Sequence, residues 1–68
     1  MFNYNKLKAK MMLADKKPED LSAALGINIS TFYRKANNNG NFTRNEIVII
    51  SQFLNLCDTE MQEIFFDE

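Results

Sequence analysis

The residues best suited to specific chemistry lie close together between positions 28 and 37. On a helix that turns about 100° per residue, with Phe32 set toward the core, Ser30 and Arg34 point almost directly away from it. Polar side chains continue this face on both flanks, without an acidic interruption: Thr31, Tyr33 and Asn37. These groups donate and accept hydrogen bonds, and the planar guanidinium of Arg34 matches the edge of a guanine. The pattern predicts contact with nucleic-acid bases or phosphates.

Two short helices joined by a tight turn are expected to position this face. Pro18 suits the first position of a helix, where its missing N–H costs nothing. Gly26 then follows Leu25 at the place where helices commonly end in a left-handed residue. Asn28 is a favoured N-cap for the next helix. A helix, a turn of about three residues and a second helix have the spacing of a helix-turn-helix, whose second helix lies in the DNA major groove.

The apolar periodicity predicts an all-α fold of five helices in one domain, residues 1–68, over about residues 4–14, 18–25, 29–36, 44–54 and 59–66. Thr43 and Glu46 have the spacing of a capping box for the fourth helix, and Asp58 is expected to cap the fifth. Cys57 is expected to be a small buried residue. The predicted core consists of Tyr4, Leu7, Met11, Met12, Ala14, Leu21, Ala24, Leu25, Phe32, Ile47, Ile50, Leu54, Leu56, Met61, Ile64 and Phe65.

Composition excludes several classes of function. The chain has no His and a single Cys, which removes most routes to a zinc site, a disulfide framework or a Cys–His nucleophile. We therefore expect no enzyme, no catalytic residues, no metal, no cofactor and no small-molecule substrate. The longest aliphatic run is the four residues 47–50, and the first residues do not resemble a secretory signal. No membrane partner and a cytoplasmic location are expected.

The charge is unevenly distributed along the chain, although the formal net charge is only −1. Residues 1–44 hold all eight cationic residues and three acidic ones, a net of +5. Residues 45–68 hold six acidic residues and no cation, a net of −6. The local electrostatic field, rather than the net charge, governs an encounter with a polyanion. We therefore expect the cationic part of the chain, residues 1–44, to be able to approach DNA phosphates. The lysines of the first helix are expected to form only a solvated face.

Two sets of DNA contacts are predicted on this basis. Residues expected to read bases lie at the start and on the outer face of the third helix: Asn28, Ile29, Ser30, Tyr33 and Arg34. Residues expected to contact phosphates surround them: Lys17, Thr31, Lys35, Asn37, Asn38, Asn39 and Arg44. Tyr33 has an equally good alternative, which is to cover the edge of the core.

A third predicted surface is apolar. Four residues lie partly off the core stripe of the fourth helix or after the last helix: Val48, Ile49, Phe53 and Phe66. An exposed apolar patch on a small protein often marks an interface, and a two-fold homodimer is its natural product. Such a dimer would place two recognition helices about 34 Å apart on a palindromic site.

Residues 17–37 resemble the helix-turn-helix of the phage Cro and lambda-repressor family. The matching positions are Leu21, Ser22, Leu25, Gly26, Ile27, Asn28, Thr31 and Phe32. The segment from Phe42 to Leu56 and the closing residues 64–66 are similar to short Cro proteins of prophages in low-GC Gram-positive bacteria. The resemblance implies a compact five-helix lambda-repressor-like DNA-binding domain, acting as a homodimeric transcriptional repressor on operator DNA.

Two positions depart from the pattern of that family. Pro18 stands where the family often has a Gln that helps to hold DNA, and Ile29 stands where a Gln is common after the cap. These departures and the acidic C-terminal half leave a second hypothesis open. The chain could instead be a protein-interaction module, such as an antirepressor or the partner of a regulator, that keeps the fold without binding DNA.

Overall fold

The structure is a computed structural model that describes residues 2–38 and 40–66. Its five helices, in chain order, are α1 (Tyr4–Leu13), α2 (Pro18–Leu25), α3 (Ile29–Asn37), α4 (Arg44–Phe53) and α5 (Asp58–Phe65). No strand occurs in the part of the chain that the structure describes, so the predicted all-α, five-helix class is confirmed. Each helix begins and ends within one residue of the predicted limits.

Local sequence signals set these limits. Pro18 occupies the first turn of α2, and Gly26 ends that helix with a left-handed φ of 71°. At the start of α4, the Thr43 N–H donates to Glu46 Oε1 at 2.8 Å, and the Glu46 N–H donates to Thr43 Oγ1 at 3.2 Å. This reciprocal pair is the predicted capping box. Asn55 follows α4 with a left-handed φ of 56°, which Asn tolerates better than most residues.

Every helix contributes a fully buried side chain to one shared core: Leu7, Leu21, Phe32, Ile50 and Ile64. The core pairs α2 with both α3 and α4, and α1 with α5. Two aromatic residues outside the helices extend it, because the Phe2 and Phe42 rings lie 5.7 Å apart and each also contacts Phe65. Phe2 and Phe42 were not among the predicted core residues, since neither belongs to a helical repeat.

Five local expectations were wrong. Met12, expected in the core, is 80% exposed. Lys10, expected on a solvated face, is half-buried and forms an ion pair with Glu60 of α5.

Ala24 is exposed, and the buried α2 position beside Leu21 is Ser22, whose hydroxyl donates to the Glu19 carbonyl at 2.9 Å. This internal bond makes the burial of Ser22 tolerable. Cys57 is exposed and stands at the N-cap of α5, one residue before the predicted Asp58. The Cys57 N–H donates to Glu60 Oε1 at 3.0 Å, which satisfies an amide at this helix start.

The core is small, as expected for a domain of this length. The protein exposes 4553 Å², against roughly 11,500 Å² for an unfolded chain of its mass, so about 60% of the surface is buried. The longest helices have 10 residues. A bilayer-spanning helix needs about 20, and no helix among the described residues is long and apolar enough to cross a membrane.

Candidate nucleic-acid interface

The turn between α2 and α3 is closed by backbone hydrogen bonds. The Gly26 N–H donates to the Ala23 carbonyl at 3.1 Å, and the Ile27 N–H donates to the Ser22 carbonyl at 3.0 Å. These bonds satisfy carbonyls at the end of α2. Asn28 then begins α3, since its carbonyl accepts the Phe32 N–H at 3.0 Å. Only Gly26, Ile27 and Asn28 separate the two helices, as the helix-turn-helix spacing predicts.

The rotation of α3 about its axis is fixed by two buried side chains, Phe32 and Ala36. They lie four residues apart on one face, so the opposite face must point outward. Ser30 and Arg34 are both exposed, as expected for that opposite face. In the described part of the chain, nothing buries either side chain. α3 thus presents a polar ridge with a hydroxyl and a guanidinium one helical turn apart.

The flanks of this ridge are exposed to different degrees. Asn28, Asn37 and Asn38 are exposed, whereas Ile29 and Thr31 are half-buried. Although Asn28 is the N-cap residue of α3, its side chain makes no capping hydrogen bond within the described residues. The side-chain amide of Asn28 is therefore exposed near Ser30 and does not cap α3. The Asn39 prediction lies outside the described residues.

Tyr33 packs at the edge of the core and is also partly exposed, so its contact with DNA remains a prediction. The residue is 42% exposed. Its ring nevertheless packs edge-on against Phe32, with ring centroids 5.9 Å apart. The ring body covers the edge of the core, and the remaining exposure leaves Tyr33 at the margin of the polar ridge.

The charges around α3 favour an anionic ligand on its outer face. The first turn of α3 holds no acidic residue, and its last turn holds Arg34 and Lys35. Lys17 is exposed at the N-cap of α2, and its N–H donates to Asp20 Oδ2 at 2.9 Å. Lys17 and Arg34 are thus two exposed cations of the helix-turn-helix.

Lys35 is engaged within the protein. Its ammonium lies 3.1 Å from Glu46 Oε1, and its side chain is only 23% exposed. Partial burial alone would raise the pKa of the Glu46 carboxyl, but hydrogen bonds from the Thr43 N–H and from Lys35 outweigh it and lower this pKa. The pair joins the end of α3 to the start of α4. Lys35 therefore supports the fold here, and its predicted phosphate contact would compete with Glu46.

Arg44 is exposed but lies beside a different surface. It borders an apolar depression of about 580 Å³ between α4 and α5, together with Val48, Met61 and Phe66. Its phosphate contact remains a prediction, and this depression gives the side chain a second candidate role. The sequence does not predict this depression, because the residues that form it come from two helices whose packing against each other follows no local pattern.

The four predicted interface residues do not form one patch. Val48 and Phe66 are 41% and 57% exposed, and both border the α4–α5 depression. Ile49 and Phe53 are half-buried. Phe53 packs against the core, and the Lys16 ammonium lies 5.0 Å from its ring centroid. The predicted single patch was therefore wrong in extent, since Phe53 is about 140° around α4 from Val48.

No group of three or more His, Cys, Asp or Glu side chains among residues 2–38 and 40–66 could hold a metal ion. The chemistry available at α3 is thus hydrogen bonding and charge. Comparison with protein-family models, curated proteins and solved structures finds no match to this chain.

Proposed function

We propose that this chain is a sequence-specific DNA-binding transcriptional regulator, a Cro-like repressor of phage or prophage type that acts in the cytoplasm on operator DNA. The observation that carries the proposal is the outward polar ridge of α3. Ser30 and Arg34 are exposed on it, and the buried Phe32 fixes its orientation. A preceding helix and a three-residue turn hold this ridge, as in a helix-turn-helix.

The roles of individual residues follow from their exposure. Arg34 is the best candidate for reading a guanine, since its guanidinium can donate two parallel hydrogen bonds to the O6 and N7 acceptors. Ser30 and Asn28 lie nearer the helix N-terminus, which usually faces the bases. Lys17, Asn37 and Asn38 are exposed and suited to phosphates. The half-buried Ile29 can offer only part of its side chain to a thymine methyl.

Selection of binding sites from random duplex DNA tests this proposal, followed by affinity measurements on the recovered site at several salt concentrations. We expect an enriched sequence and an affinity that falls steeply as salt rises, because phosphate contacts release counterions. Recovery of no sequence, together with no retardation of DNA at low salt, would contradict it.

The alternative function is a protein-interaction module with the same fold. The apolar depression between α4 and α5 favours it, as does the engagement of Lys35 with Glu46. A salt-independent complex with another polypeptide, combined with a negligible dependence of DNA affinity on salt, would support this alternative. A steep salt dependence on a selected site would support the regulator.

A further inference from the structure

The outward side of α1 carries the two most exposed large hydrophobic residues that the structure describes. Leu7 and Met11 are buried and fix the inward side of this helix. The next two residues, Met12 and Leu13, turn outward and are 80% and 81% exposed. Neither of them belongs to the core or to the proposed DNA contacts. Exposed apolar residues that adjoin one another often mark an interaction site.

A shallow depression of about 200 Å³ lies beside Met12, where the end of α1 meets the start of α2. Met11, Met12 and Pro18 provide apolar groups to it, and Lys8 and Lys16 border it. Pockets for drug-sized ligands enclose about 300–1,000 Å³, so this depression has room for only one large apolar side chain. The depression and the exposed end of α1 beside it form the α1–α2 face.

The two lysines of the α1–α2 face are held beside aromatic rings without being neutralised. The Lys8 ammonium lies 4.8 Å from the ring centroid of Tyr4, and the Lys16 ammonium lies 5.0 Å from that of Phe53. Within residues 2–38 and 40–66, neither ammonium forms an ion pair. Both charges are therefore available to an anionic group that approaches the depression.

Positive charge dominates the chain around this face. Residues 4–18 hold five lysines and one acidic residue, Asp15. Lys10 is paired with Glu60 of α5, which leaves four lysines against Asp15. Neither Asp15 nor the nearby Glu19 borders the depression. An apolar surface rimmed by cations is complementary to an apolar segment that carries carboxylates.

We propose that the α1–α2 face binds a short acidic and apolar segment of another protein. One large apolar side chain of that segment occupies the depression beside Met12, and flanking carboxylates pair with Lys8 and Lys16. This binding goes beyond the proposed function, because it uses no residue of α3 and does not require DNA.

The α1–α2 face suits a polypeptide better than DNA or a membrane. Polar groups make the contacts to phosphates, so Met12 and Leu13 would lie unfavourably against the hydrated backbone of a duplex. On a bilayer these two side chains would bury little area, and even one myristoyl chain gives only marginal membrane binding. An acidic segment with an apolar side chain matches both the depression and the two lysines.

Titration of the ¹⁵N-labelled chain with three pools of short synthetic peptides tests this proposal. In the acidic pool, one Leu, Phe or Met is flanked on both sides by Asp and Glu. The amide pool has Asn and Gln in place of the acids, and the basic pool has Lys and Arg. We expect the acidic pool alone to shift the backbone amide signals of residues 8–17 saturably. No saturable shift with the acidic pool, or equal shifts with the amide pool, would overturn the proposal.

Variants assign the binding to individual side chains. Lys8→Glu should bind the acidic pool about fivefold or more weakly, because an attraction becomes a repulsion, and it should gain affinity for the basic pool. Lys6→Glu is the matched control, since Lys6 is exposed on α1 outside the depression; it should bind almost like the wild type. Met12→Gln should also bind about fivefold or more weakly, because its apolar contact is lost. Equal losses for Lys8→Glu and Lys6→Glu would mean that only overall charge matters, which would overturn the proposal.

Two further measurements identify other occupants of this face. Binding to phosphatidylserine vesicles that Met12→Gln abolishes would assign the face to a membrane. Polymers of the chain alone that Met12→Gln disperses, seen by sedimentation, would assign it to a second copy. Either result would overturn the proposal. A chain that binds the acidic pool but no DNA would support this inference and contradict the proposed function, so the two are tested separately.

Discussion

The Lys35 ammonium lies 3.1 Å from the Glu46 carboxylate, and this contact ties the end of α3 to the start of α4. The same Glu46 oxygen also accepts the Thr43 N–H at 2.8 Å. One carboxylate thus caps α4 and anchors the last turn of α3. Because Lys35 is paired with Glu46, it helps to position the outer face of α3. Lys17 and Arg34 are the exposed cations of the helix-turn-helix.

Removing the charge of Lys17 and removing that of Lys35 should therefore have different effects on the salt dependence of DNA binding. Lys17→Met should reduce the slope of log affinity against log salt by about one on the selected DNA site, since one phosphate contact is lost. Lys35→Met should leave that slope almost unchanged, because its ammonium is paired with Glu46. Filter binding or fluorescence anisotropy at four or more salt concentrations gives both slopes. Equal reductions for the two variants would show that Lys35 leaves Glu46 to bind phosphate.

Lys10 of α1 forms an ion pair with Glu60 of α5, and this pair should make the stability of the fold depend on pH in the acid range. The hydrogen bond from the Lys10 ammonium, with another from the Cys57 N–H, lowers the pKa of Glu60 from 4.5 to about 2. Because the Glu60 pKa is lower in the folded chain than in the unfolded chain, the charged carboxylate stabilises the fold. This contribution is complete at pH values above the unfolded pKa near 4.5, and it disappears as pH falls toward 2.

Glu60→Gln should consequently melt below the wild type at pH 7, and the gap should close between pH 4.5 and 2, the interval that the Glu60 pKa values define. Gln can still accept the Cys57 N–H, so the comparison isolates the charge. Thermal melts followed by circular dichroism at each pH provide the measurement. Glu63→Gln is the control on the exposed face of α5. A gap that stays constant down to pH 2 would count against the ion pair.

The two glycines should differ in their tolerance of a methyl group. Both have a left-handed φ, 71° at Gly26 and 66° at Gly40. An added Cβ at Gly26 would meet nothing within 4 Å, whereas at Gly40 it would overlap the Phe2 ring. Gly26→Ala should therefore lower the free energy of unfolding only by the cost of placing Ala in a left-handed conformation, about 1–2 kcal/mol.

Gly40→Ala should cost more than Gly26→Ala by about 1–3 kcal/mol, because Phe2 must move out of the aromatic cluster. Urea denaturation of both variants measures the difference in unfolding free energy. Gly40→Ala in a Phe2→Ala background should lose most of that excess. An equal cost for the two glycines would mean that Phe2 does not occupy the space beside Gly40.

The helices were predictable because short-range signals mark their ends. Pro18, Gly26 and the Thr43–Glu46 box each act within four residues, and the structure uses all of them as expected. The inward position of Phe32 and the outward positions of Ser30 and Arg34 followed from helical periodicity.

Contacts between helices were not predictable in the same way. Lys35 and Glu46 are 11 residues apart on different helices, and no local rule pairs them. Periodicity places Val48 and Phe53 on different sides of α4. It does not predict that Val48 borders a depression beside α5 or that Phe53 packs against the core. Phe2 and Phe42 lie outside the helices, so their place in the core depends on tertiary packing alone.

The most direct test of the proposed DNA-binding function is the affinity of Arg34→Ala for the selected DNA site, compared with the wild type and with Lys6→Ala on the exposed face of α1. We predict that Arg34→Ala loses about 1–3 kcal/mol of binding free energy and no longer discriminates one base pair of the site. Lys6→Ala should bind like the wild type. An Arg34→Ala protein that is folded and binds the site with unchanged affinity and base preference would contradict the proposal that α3 reads DNA.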